Sequence, residues 1–595
     1  MGMSAGVVVL LGVFALCHAE ANELNYDEAL LTVNNYLLHP ITLLYMSDYC
    51  YKCLLQPLMS LPAAQSLQPA NHTVTITTQF ALTFHVFKED GNEEPVCSWE
   101  QLYEEHGHYI ISVQPSNGTV QCYNLVRRSP SNSLMPLLVA LVCLLCIWAL
   151  YYLTTYIFRL ACTHKFLEEL KKKTCCDFHN EPDESVVQSQ SADTPKHRRL
   201  LSLDTFRGFS LTIMVFVNYG GGGYWFFQHA PWNGLTVADL VMPWFVFIIG
   251  TSVALAFSSM LKKGIYRSQL VRKLTWRTCV LMAIGVFFLN FGPADGPLSW
   301  HWARIPGVLQ RLGFTYFVLA FMHTFFSKPN LEEAESHQRS AAVRDIVMYW
   351  PEWIIIAALE TLSLCLTFLL PVPGCPTGYL GPGGIGDFGL YPNCTGGAAG
   401  YIDKWLFGQN HIYNHPTCKE LYKTTQPFDP EGILGTINSV VMAFFGLQAG
   451  KIILIYRKSP HKILCRFFIW SILLGITSAI LTKCTRDEGF IPINKNLWSL
   501  SFITTLSCFS FLLLGLMFYV IDVRRWWGGQ PFIYPGMNSI FVYVGHSLLA
   551  SYFPFNWEVK NWTSHYEFLA QDLLGTSIWV FVSYLLYRKK FFLKI

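Results

Sequence analysis

A chain of 595 residues in which 52% are hydrophobic and only 14% are charged is too apolar for a soluble protein of this length. The formal net charge of +3 gives no reason to expect a nucleic-acid partner. Long uncharged runs recur along the chain, each close to the ~20 residues that a helix needs to cross a bilayer. The composition therefore predicts a protein that spans the lipid bilayer several times.

The N-terminal region begins with a short apolar run, 1–21, which ends in small residues around Ala19. This pattern is typical of a cleaved signal peptide, although no basic residue precedes the run. The next segment, 22–131, alternates β-branched and aromatic residues and holds four cysteines and two glycosylation sequons, at Asn71 and Asn117. We therefore predict a small disulfide-bonded β domain on the non-cytosolic side.

Eleven apolar segments follow, each long enough for a transmembrane helix. Their predicted limits are 133–158, 203–219, 236–259, 274–292, 304–326, 346–370, 432–450, 464–483, 497–519, 531–552 and 565–587. With the β domain outside, the cytosolic segments hold 26 Lys and Arg and the outer loops hold 6, as the positive-inside rule requires. Two further sequons, Asn393 and Asn561, also fall outside. The C-terminus is thereby predicted to be cytosolic.

These segments define the predicted fold class, a polytopic α-helical membrane protein with about 11 transmembrane helices preceded by a small disulfide-bonded, β-rich luminal domain. A first helix, 132–158, is followed by a polar cytosolic loop, 159–200, predicted to be disordered, and by a ten-helix bundle, 201–595. The long outer loop 371–431 is rich in Gly and Pro. It contains Cys375, Cys394 and Cys418. Three cysteines cannot all pair within the loop, so one is either free or bonded to the β domain.

The stretch Asn218–Ser252, NYGGGGYWFFQHAPWNGLTVADLVMPWFVFIIGTS, joins a glycine run, His229 and several aromatic residues at the outer end of a predicted helix. Glycine removes side chains where a backbone bends or a ligand comes close. Asn218 can hydrogen-bond an imidazole, and Asp239 can hold its tautomer. The spacing from Thr236 to Asp239 is also that of a capping box. A glycine hinge in an aromatic belt, with a solvated histidine, is the alternative interpretation.

Charged side chains inside spans are costly, which makes them candidates for function. Arg311, with Gln310 beside it, is predicted near mid-membrane, where it needs a carboxylate, a cluster of carbonyls or an anionic ligand. Arg304 lies nearer the outer surface. On the cytosolic side, Asp204 and Arg207 are one turn apart, which is typical of an ion pair at a helix start or of a phosphate contact.

The polar stretch TRDEGFIPINKN precedes the span at 497–519 and is either a sugar site or a solvated loop. His546 is a second histidine within a span, but without a glycine loop or nearby polar partners it ranks below His229. The sequence contains no P-loop, GxSxG or HExxH motif and no zinc spacing, so no metal is predicted.

Three stretches resemble motifs of the heparan-α-glucosaminide N-acetyltransferase family and its bacterial relatives. They are LDTFRGFSLTIMVFVNYGGGGYWFFQHAPWNGLTVADLVMPWFVFIIG, RIPGVLQRLGFTYF and IPINKNLWSLSF. The resemblance covers 200–595, and the N-terminal features are similar to the lysosomal animal members. It implies a multi-pass lysosomal membrane enzyme that moves the acetyl group of cytosolic acetyl-CoA to the terminal non-reducing glucosamine of heparan sulfate in the lumen, for its degradation.

The resemblance also implies site residues. The family's active-site histidine falls on His229, and its flanking asparagine and aspartate fall on Asn218 and Asp239. Because a carboxylate opposes the lowered pKa that an imidazole needs in an acidic lumen, Asn218 is predicted to be the direct partner. The residues predicted to bind acetyl-CoA are Arg207, Gln310 and Arg311. The residues predicted to bind the sugar are Trp232, Asn233, Arg304, Asp487, Glu488 and Lys495.

Alternatives stay open for both mechanism and function. His229 either carries the acetyl group covalently or acts as general base in a ternary complex, which we prefer. A secondary transporter of a polar or anionic solute fits the intramembrane Arg and His, but the sequence shows no internal repeat. An inactive scaffold is a third alternative, opposed by the intact motif at His229. A homo-oligomer is compatible with the sequence.

Overall fold

The computed structural model describes residues 24–65, 68–89, 94–116, 119–174, 199–290, 299–327 and 343–593. The predicted signal peptide, 1–21, the sequon Asn117 and residues 175–198 of the predicted cytosolic loop lie outside this described part. Within it, a β-rich domain precedes a bundle of helices.

The N-terminal domain consists of two four-stranded sheets. Its strands are β1 (Glu28–Asn35), β2 (Ile41–Ser47), β3 (Gln56–Leu61), β4 (Ala70–Thr77), β5 (Leu82–Lys88), β6 (Cys97–Gln101), β7 (His108–Ser116) and β8 (Thr119–Arg128). The strand orders are β4-β1-β7-β8 and β3-β2-β5-β6, with β1 and β7 parallel. Alternate residues of the central strands, such as Leu31, Val33, Phe84 and Val86, are buried in one shared core. The two sheets therefore pack face to face as a sandwich.

Disulfide bonds occur both in this domain and in the long loop before the helix at Ile433. They are Cys50–Cys53, Cys97–Cys122 and Cys375–Cys394. Cys418 is buried and free. The disulfide-bonded β domain is thus confirmed, and of the two alternatives for the loop the structure has the free thiol.

Helices make up most of the remaining described chain. Their bounds are α1 (Met135–Thr174), α2 (Leu201–Tyr219), α3 (Val237–Lys262), α4 (Arg267–Ile284), α5 (Val308–Phe326), α6 (Arg344–Val347), α7 (Trp350–Leu369), α8 (Gly397–Phe407), α9 (Cys418–Tyr422), α10 (Ile433–Ile455), α11 (Pro460–Thr482), α12 (Leu500–Met517), α13 (Ile533–Met537), α14 (Ser539–Leu548) and α15 (His565–Arg588). Two of them continue as π-helical turns, α4 through Leu289 and α12 through Val523.

Seven of the described helices are long and apolar enough to cross a membrane: α1 up to Ile157, α3, α7, α10, α11, α12 with its π-helical turn, and α15. The other four predicted spans fall on α2, on α4, on α5 and on the pair α13 and α14. Charged residues lower the hydropathy of α2, α4 and α5, which carry Arg207, Arg277 and Arg311 respectively. The predicted membrane fold is confirmed.

Two element boundaries differ from the predicted ones. The span predicted at 531–552 is two helices separated at Asn538, whose side-chain amide bonds to the backbone of Phe591 and Leu593. The first helix continues past residue 158 to Thr174, into the segment predicted to be disordered. That extension is rich in Leu, Lys and Glu, which favour helix over an extended loop.

Helices α3 and α10 pack closely along their length. A Cβ atom added at Gly250 would lie 1.8 Å from the backbone oxygen of Ala443, and one added at Gly446 would lie 1.9 Å from that of Phe247. Reciprocal glycines thus let the two backbones touch, as small residues do in membrane helix pairs. Most of α10 is buried by this contact and its other neighbours.

We expect Gly250→Ala to lower the thermal unfolding midpoint, since the new methyl group has to push α10 away. Overpacking of this kind typically costs about 1–3 kcal/mol. The measurement is the midpoint of purified protein in detergent, compared with Gly528→Ala as a matched control. A Cβ at Gly528 meets no atom within 4 Å. Equal midpoints for the two variants would contradict the proposed close contact.

The β domain packs against one end of the helical bundle. The backbone N–H of Leu54 donates to the oxygen of Ile385 at 2.9 Å, which joins the domain to the long loop. Nε2 of His565, at the start of α15, lies 3.3 Å from Oδ1 of Asp27. We call this face of the bundle the β-domain end, and the face that carries Arg207 the opposite end.

Candidate functional site

His229 lies at the β-domain end, in the loop that joins α2 to α3. The loop begins with Gly220–Gly223, all of which have positive φ angles that favour glycine. Its turn packs on α15: the N–H of Gly222 donates to the Asp572 carboxylate at 2.7 Å, and a Cβ at Gly222 would lie 2.9 Å from Leu569. The glycine run therefore fixes the path of the chain against α15 before it reaches His229.

Asp239 is the direct partner of His229. Nδ1 of the imidazole lies 2.8 Å from Oδ1 of the carboxylate, which is fully buried. The other oxygen, Oδ2, accepts from the N–H of Ala230 and from both the N–H and the hydroxyl of Thr236, at 2.9–3.2 Å. The predicted capping box is thus present, and the same carboxylate holds the imidazole. Because Nδ1 donates to a carboxylate, Nε2 is left with the lone pair.

The prediction that Asn218 contacts His229 is wrong. Nδ2 of Asn218 lies 2.9 Å from Nε2 of His546, which belongs to α14. His546 also has Nδ1 3.1 Å from the oxygen of Val542, so it does have the polar partners that it was expected to lack. Asn218 is in the last turn of α2 and contacts α14, whereas Asp239 is in the first turn of α3 and contacts His229 and Ala230 of the preceding loop.

The electrostatic surroundings lower the pKa of His229. Burial is the largest cause, and the positive charge of Lys495 adds to it, while the hydrogen bond and charge of Asp239 oppose both. The side chain of His229 is still 34% exposed, so its ring can reach a ligand. Nζ of Lys495 lies 3.9 Å from Oδ1 of Asp239 and is nearly buried. The site is therefore a histidine, a carboxylate and an ammonium in one cluster.

The remaining residues predicted to bind sugar connect loops around this cluster. Nδ2 of Asn233 donates to Asp487 at 2.9 Å, and its Oδ1 accepts from Asn494 at 3.1 Å. Trp232 is 1% exposed, and its indole N–H donates to the oxygen of Leu380. These contacts fix the His229 loop on its neighbours. Glu488 is exposed.

Arg304 is already paired with two carboxylates. Its guanidinium bonds to Asp429 through Nε at 2.9 Å and Nη2 at 2.7 Å, and Nη2 also lies 2.6 Å from Glu431. The ring of Tyr413 lies beneath it, 4.7 Å away. A bidentate, stacked arginine of this kind connects the end of the long loop to the start of α5.

The three residues predicted to bind acetyl-CoA are not brought together. Arg311 is in the first turn of α5, at the β-domain end and not at mid-membrane as predicted, and a cluster of carbonyl oxygens from Pro430 and Gly432 accepts from it. Gln310 donates to the oxygen of Ile305. Arg207, at the opposite end, forms the i,i+3 ion pair with its neighbour Asp204 at 3.3 Å. Its Nη2 donates to the hydroxyl of Ser252.

The described sequons lie on the β domain or in loops at its end of the bundle. Asn71 on β4 and Asn393 in the long loop are exposed. Asn561 is partly buried, and its side-chain oxygen accepts from the hydroxyl of Thr563. Among the described residues, no group of three or more His, Cys, Asp or Glu is placed to hold a metal ion.

A cavity of about 530 Å³ opens beside His229. Its walls come from the β domain, from the His229 loop and from the long loop around α9. Aromatic, aliphatic and polar side chains all contribute to its lining. The lining residues include Tyr49, Phe80, Trp225, Lys419, Glu420 and Lys423. None of these was predicted as a site residue from the sequence, in which the one signal is that Lys419 and Lys423 are two of the three lysines in 371–431, a segment without arginine.

No family model matches the chain. Two known proteins are similar to it over nearly its whole length. It is 47% identical over 592 residues to heparan-alpha-glucosaminide N-acetyltransferase of Homo sapiens, which covers 96% of this chain and 89% of that protein. It is 47% identical over 591 residues to the Mus musculus protein of the same name, with the same shares covered. The similarity therefore extends over both the β domain and the bundle.

Proposed function

The chain belongs to the heparan-alpha-glucosaminide N-acetyltransferase family, and on that premise we propose that it moves the acetyl group of acetyl-CoA to the terminal non-reducing α-D-glucosamine of heparan sulfate. The observation that carries this proposal is His229, held by the buried Asp239, at the wall of a cavity large enough for a sugar. A secondary transporter is not favoured, because both similar proteins are named as transferases.

The chemistry requires a base at the acceptor nitrogen. A glucosamine ammonium has no lone pair, and Nε2 of His229 is the group that removes its proton. The free amine attacks the thioester carbonyl carbon; the C–N bond forms and the C–S bond breaks. The nitrogen then loses its second proton and the CoA thiolate gains one, so each acetyl transfer releases one proton. In the covalent alternative, Nε2 attacks the thioester carbonyl carbon and the C–S bond breaks, so that CoA leaves as the thiolate. The glucosamine amine then attacks the acetyl-imidazole, and the N–C bond to His229 breaks to restore the free imidazole.

We further propose that the β-domain end faces the lysosomal lumen and the opposite end faces the cytosol. The charge asymmetry of the loops supports this orientation, as do the exposed sequons Asn71 and Asn393. Acetyl-CoA would then enter from the end that carries Arg207, whose side chain is partly exposed. An acidic lumen favours a base with a lowered pKa, which burial and Lys495 supply for His229.

The test is acetyl transfer by purified protein in detergent with labelled acetyl-CoA, with and without glucosamine. N-acetylglucosamine formed in proportion to the protein supports the proposed function. Label retained on the protein without acceptor favours the covalent route, and label found only on the sugar favours the ternary complex. Folded protein that forms no product, yet carries a solute into vesicles, would refute the enzyme and support a transporter.

We expect Lys495→Met to move the acidic limb of the kcat profile to higher pH. Lys495 lowers the pKa of His229, so its removal raises that pKa and keeps the imidazole protonated over more of the acidic range. Activity at acidic pH should fall while activity near neutral pH is retained. Lys495→Arg should restore the profile, and Lys560→Met, at an exposed lysine of the same end, should not change it. An unmoved limb in Lys495→Met would exclude this role.

A further inference from the structure

The cavity beside His229 extends well beyond the imidazole. β-domain residues line it, and so do residues of the long loop between Lys419 and Lys423. A single amino sugar bound at His229 would not fill this outer part of the cavity. The outer part can therefore hold the group attached to that sugar. In an exo-acting enzyme, that is the next sugar of the chain.

An aromatic surface covers one wall of the outer part. The rings of Tyr49 and Phe80 stack with their centroids 4.3 Å apart, and Trp225 meets Phe80 edge-on at 5.3 Å. Tyr49 and Phe80 belong to the β domain and Trp225 to the loop of His229. Rigid aromatic faces of this kind pack against the apolar faces of flat ligands. The β domain thus supplies a wall of the cavity as well as covering the bundle.

The part of the wall that the long loop supplies carries two cations, Lys419 and Lys423. Nζ of Lys423 lies 2.9 Å from Oε1 of Gln56, and Nζ of Lys419 lies 3.4 Å from the oxygen of Asn414. Within the described residues, neither lysine forms an ion pair, and Glu420 is the single carboxylate lining the cavity. The backbone of Lys423 has φ 50°, a strained conformation for a residue other than glycine. Two cations without carboxylate partners favour an anionic ligand.

We propose that this outer part of the cavity is an acceptor subsite for the sugar next to the terminal glucosamine. The ring lies on Phe80 and Trp225, and its carboxylate or sulfate pairs with Lys419 and Lys423. Tyr49 holds Phe80 in place, since Phe80 stacks on its ring and the Arg486 guanidinium also covers that ring. The inference rests on the proposed function, and it adds a reason for the β domain to belong to the enzyme. The β domain and the long loop would together select a polyanionic chain over a free amino sugar.

The experiment compares three acceptors: glucosamine, glucosamine linked to a uronate, and the same disaccharide with a sulfated uronate. For the double variant Lys419→Gln, Lys423→Gln, we expect KM for the disaccharides to rise roughly threefold to thirtyfold, with KM for glucosamine unchanged. For wild type, KM of the disaccharides alone should rise with salt. An equal rise in KM for the two disaccharides identifies the shared carboxylate as the partner of the lysines, and a larger rise for the sulfated one identifies the sulfate. Lys560→Gln is the matched control.

Two outcomes would overturn the subsite: equal effects on glucosamine and disaccharides, or no effect on either. Direct binding of the disaccharides to wild type and to the double variant is the second measurement, and it needs no turnover. If wild type acetylates none of the acceptors but binds the disaccharides through the two lysines, the proposed function fails and the subsite is supported. Binding that is independent of the lysines refutes the subsite alone.

Discussion

His229→Ala is expected to lower kcat for acetyl transfer by roughly 10²–10⁴-fold, the usual contribution of a positioned general base. The reason is that amine attack requires loss of the ammonium proton, and His229 lines the cavity while Asp239 holds its Nδ1. The side chain is 34% exposed, so its truncation should leave the fold intact. The measurements are kcat and KM with glucosamine, together with the thermal unfolding midpoint.

Two comparisons make the result specific. His229→Gln keeps a polar side chain of similar size but cannot accept and release a proton, so it should be as impaired as His229→Ala. His461→Ala, at an exposed histidine, should behave as wild type. If His229→Ala retains wild-type kcat, the base is elsewhere, and His546 with its partner Asn218 becomes the residue to test.

The membrane fold could be predicted because its signals are local. Each span is a continuous apolar run, so the sequence limits match α3, α7 and α10 closely. The break between α13 and α14 could not be predicted in this way. It depends on Asn538 bonding to Phe591 and Leu593, which lie more than fifty residues along the chain.

The partners within the site were harder to predict than the spans. The contact of His229 with Asp239 spans ten residues and coincides with a capping box that the sequence displays, yet the lowered pKa that the imidazole needs favoured Asn218 as its direct partner. The contact of Asn218 with His546 spans 328 residues, and no pattern near either residue reveals it. The cavity walls from the β domain are equally non-local, because Tyr49 and Phe80 reach the loop of His229 only through domain packing. The sequence points to the candidate groups, and the fold shows which side chains contact them.

Asp239→Asn is the second change with a large expected effect. The carboxylate accepts from Nδ1 of His229 through one oxygen and from three donors of Ala230 and Thr236 through the other. An amide has one oxygen and one NH₂ group, so in either orientation a donor faces a donor. If the amide turns NH₂ toward the imidazole, Nδ1 becomes the acceptor and Nε2 the donor, which is the wrong tautomer for a base. We expect kcat to fall roughly 10²–10⁴-fold, as for comparable histidine–carboxylate pairs.

The pH profile separates this effect from a loss of capping. The Asp239 carboxylate raises the pKa of His229, so its removal lowers that pKa further and moves the acidic limb of the residual activity to lower pH. This is the opposite direction to Lys495→Met. Thr236→Val removes one capping donor but leaves the carboxylate on the imidazole, so it should lower the unfolding midpoint without moving the limb. If Asp239→Asn shows the Thr236→Val pattern, with a lower midpoint, near-normal kcat and an unmoved limb, Asp239 serves only to cap α3.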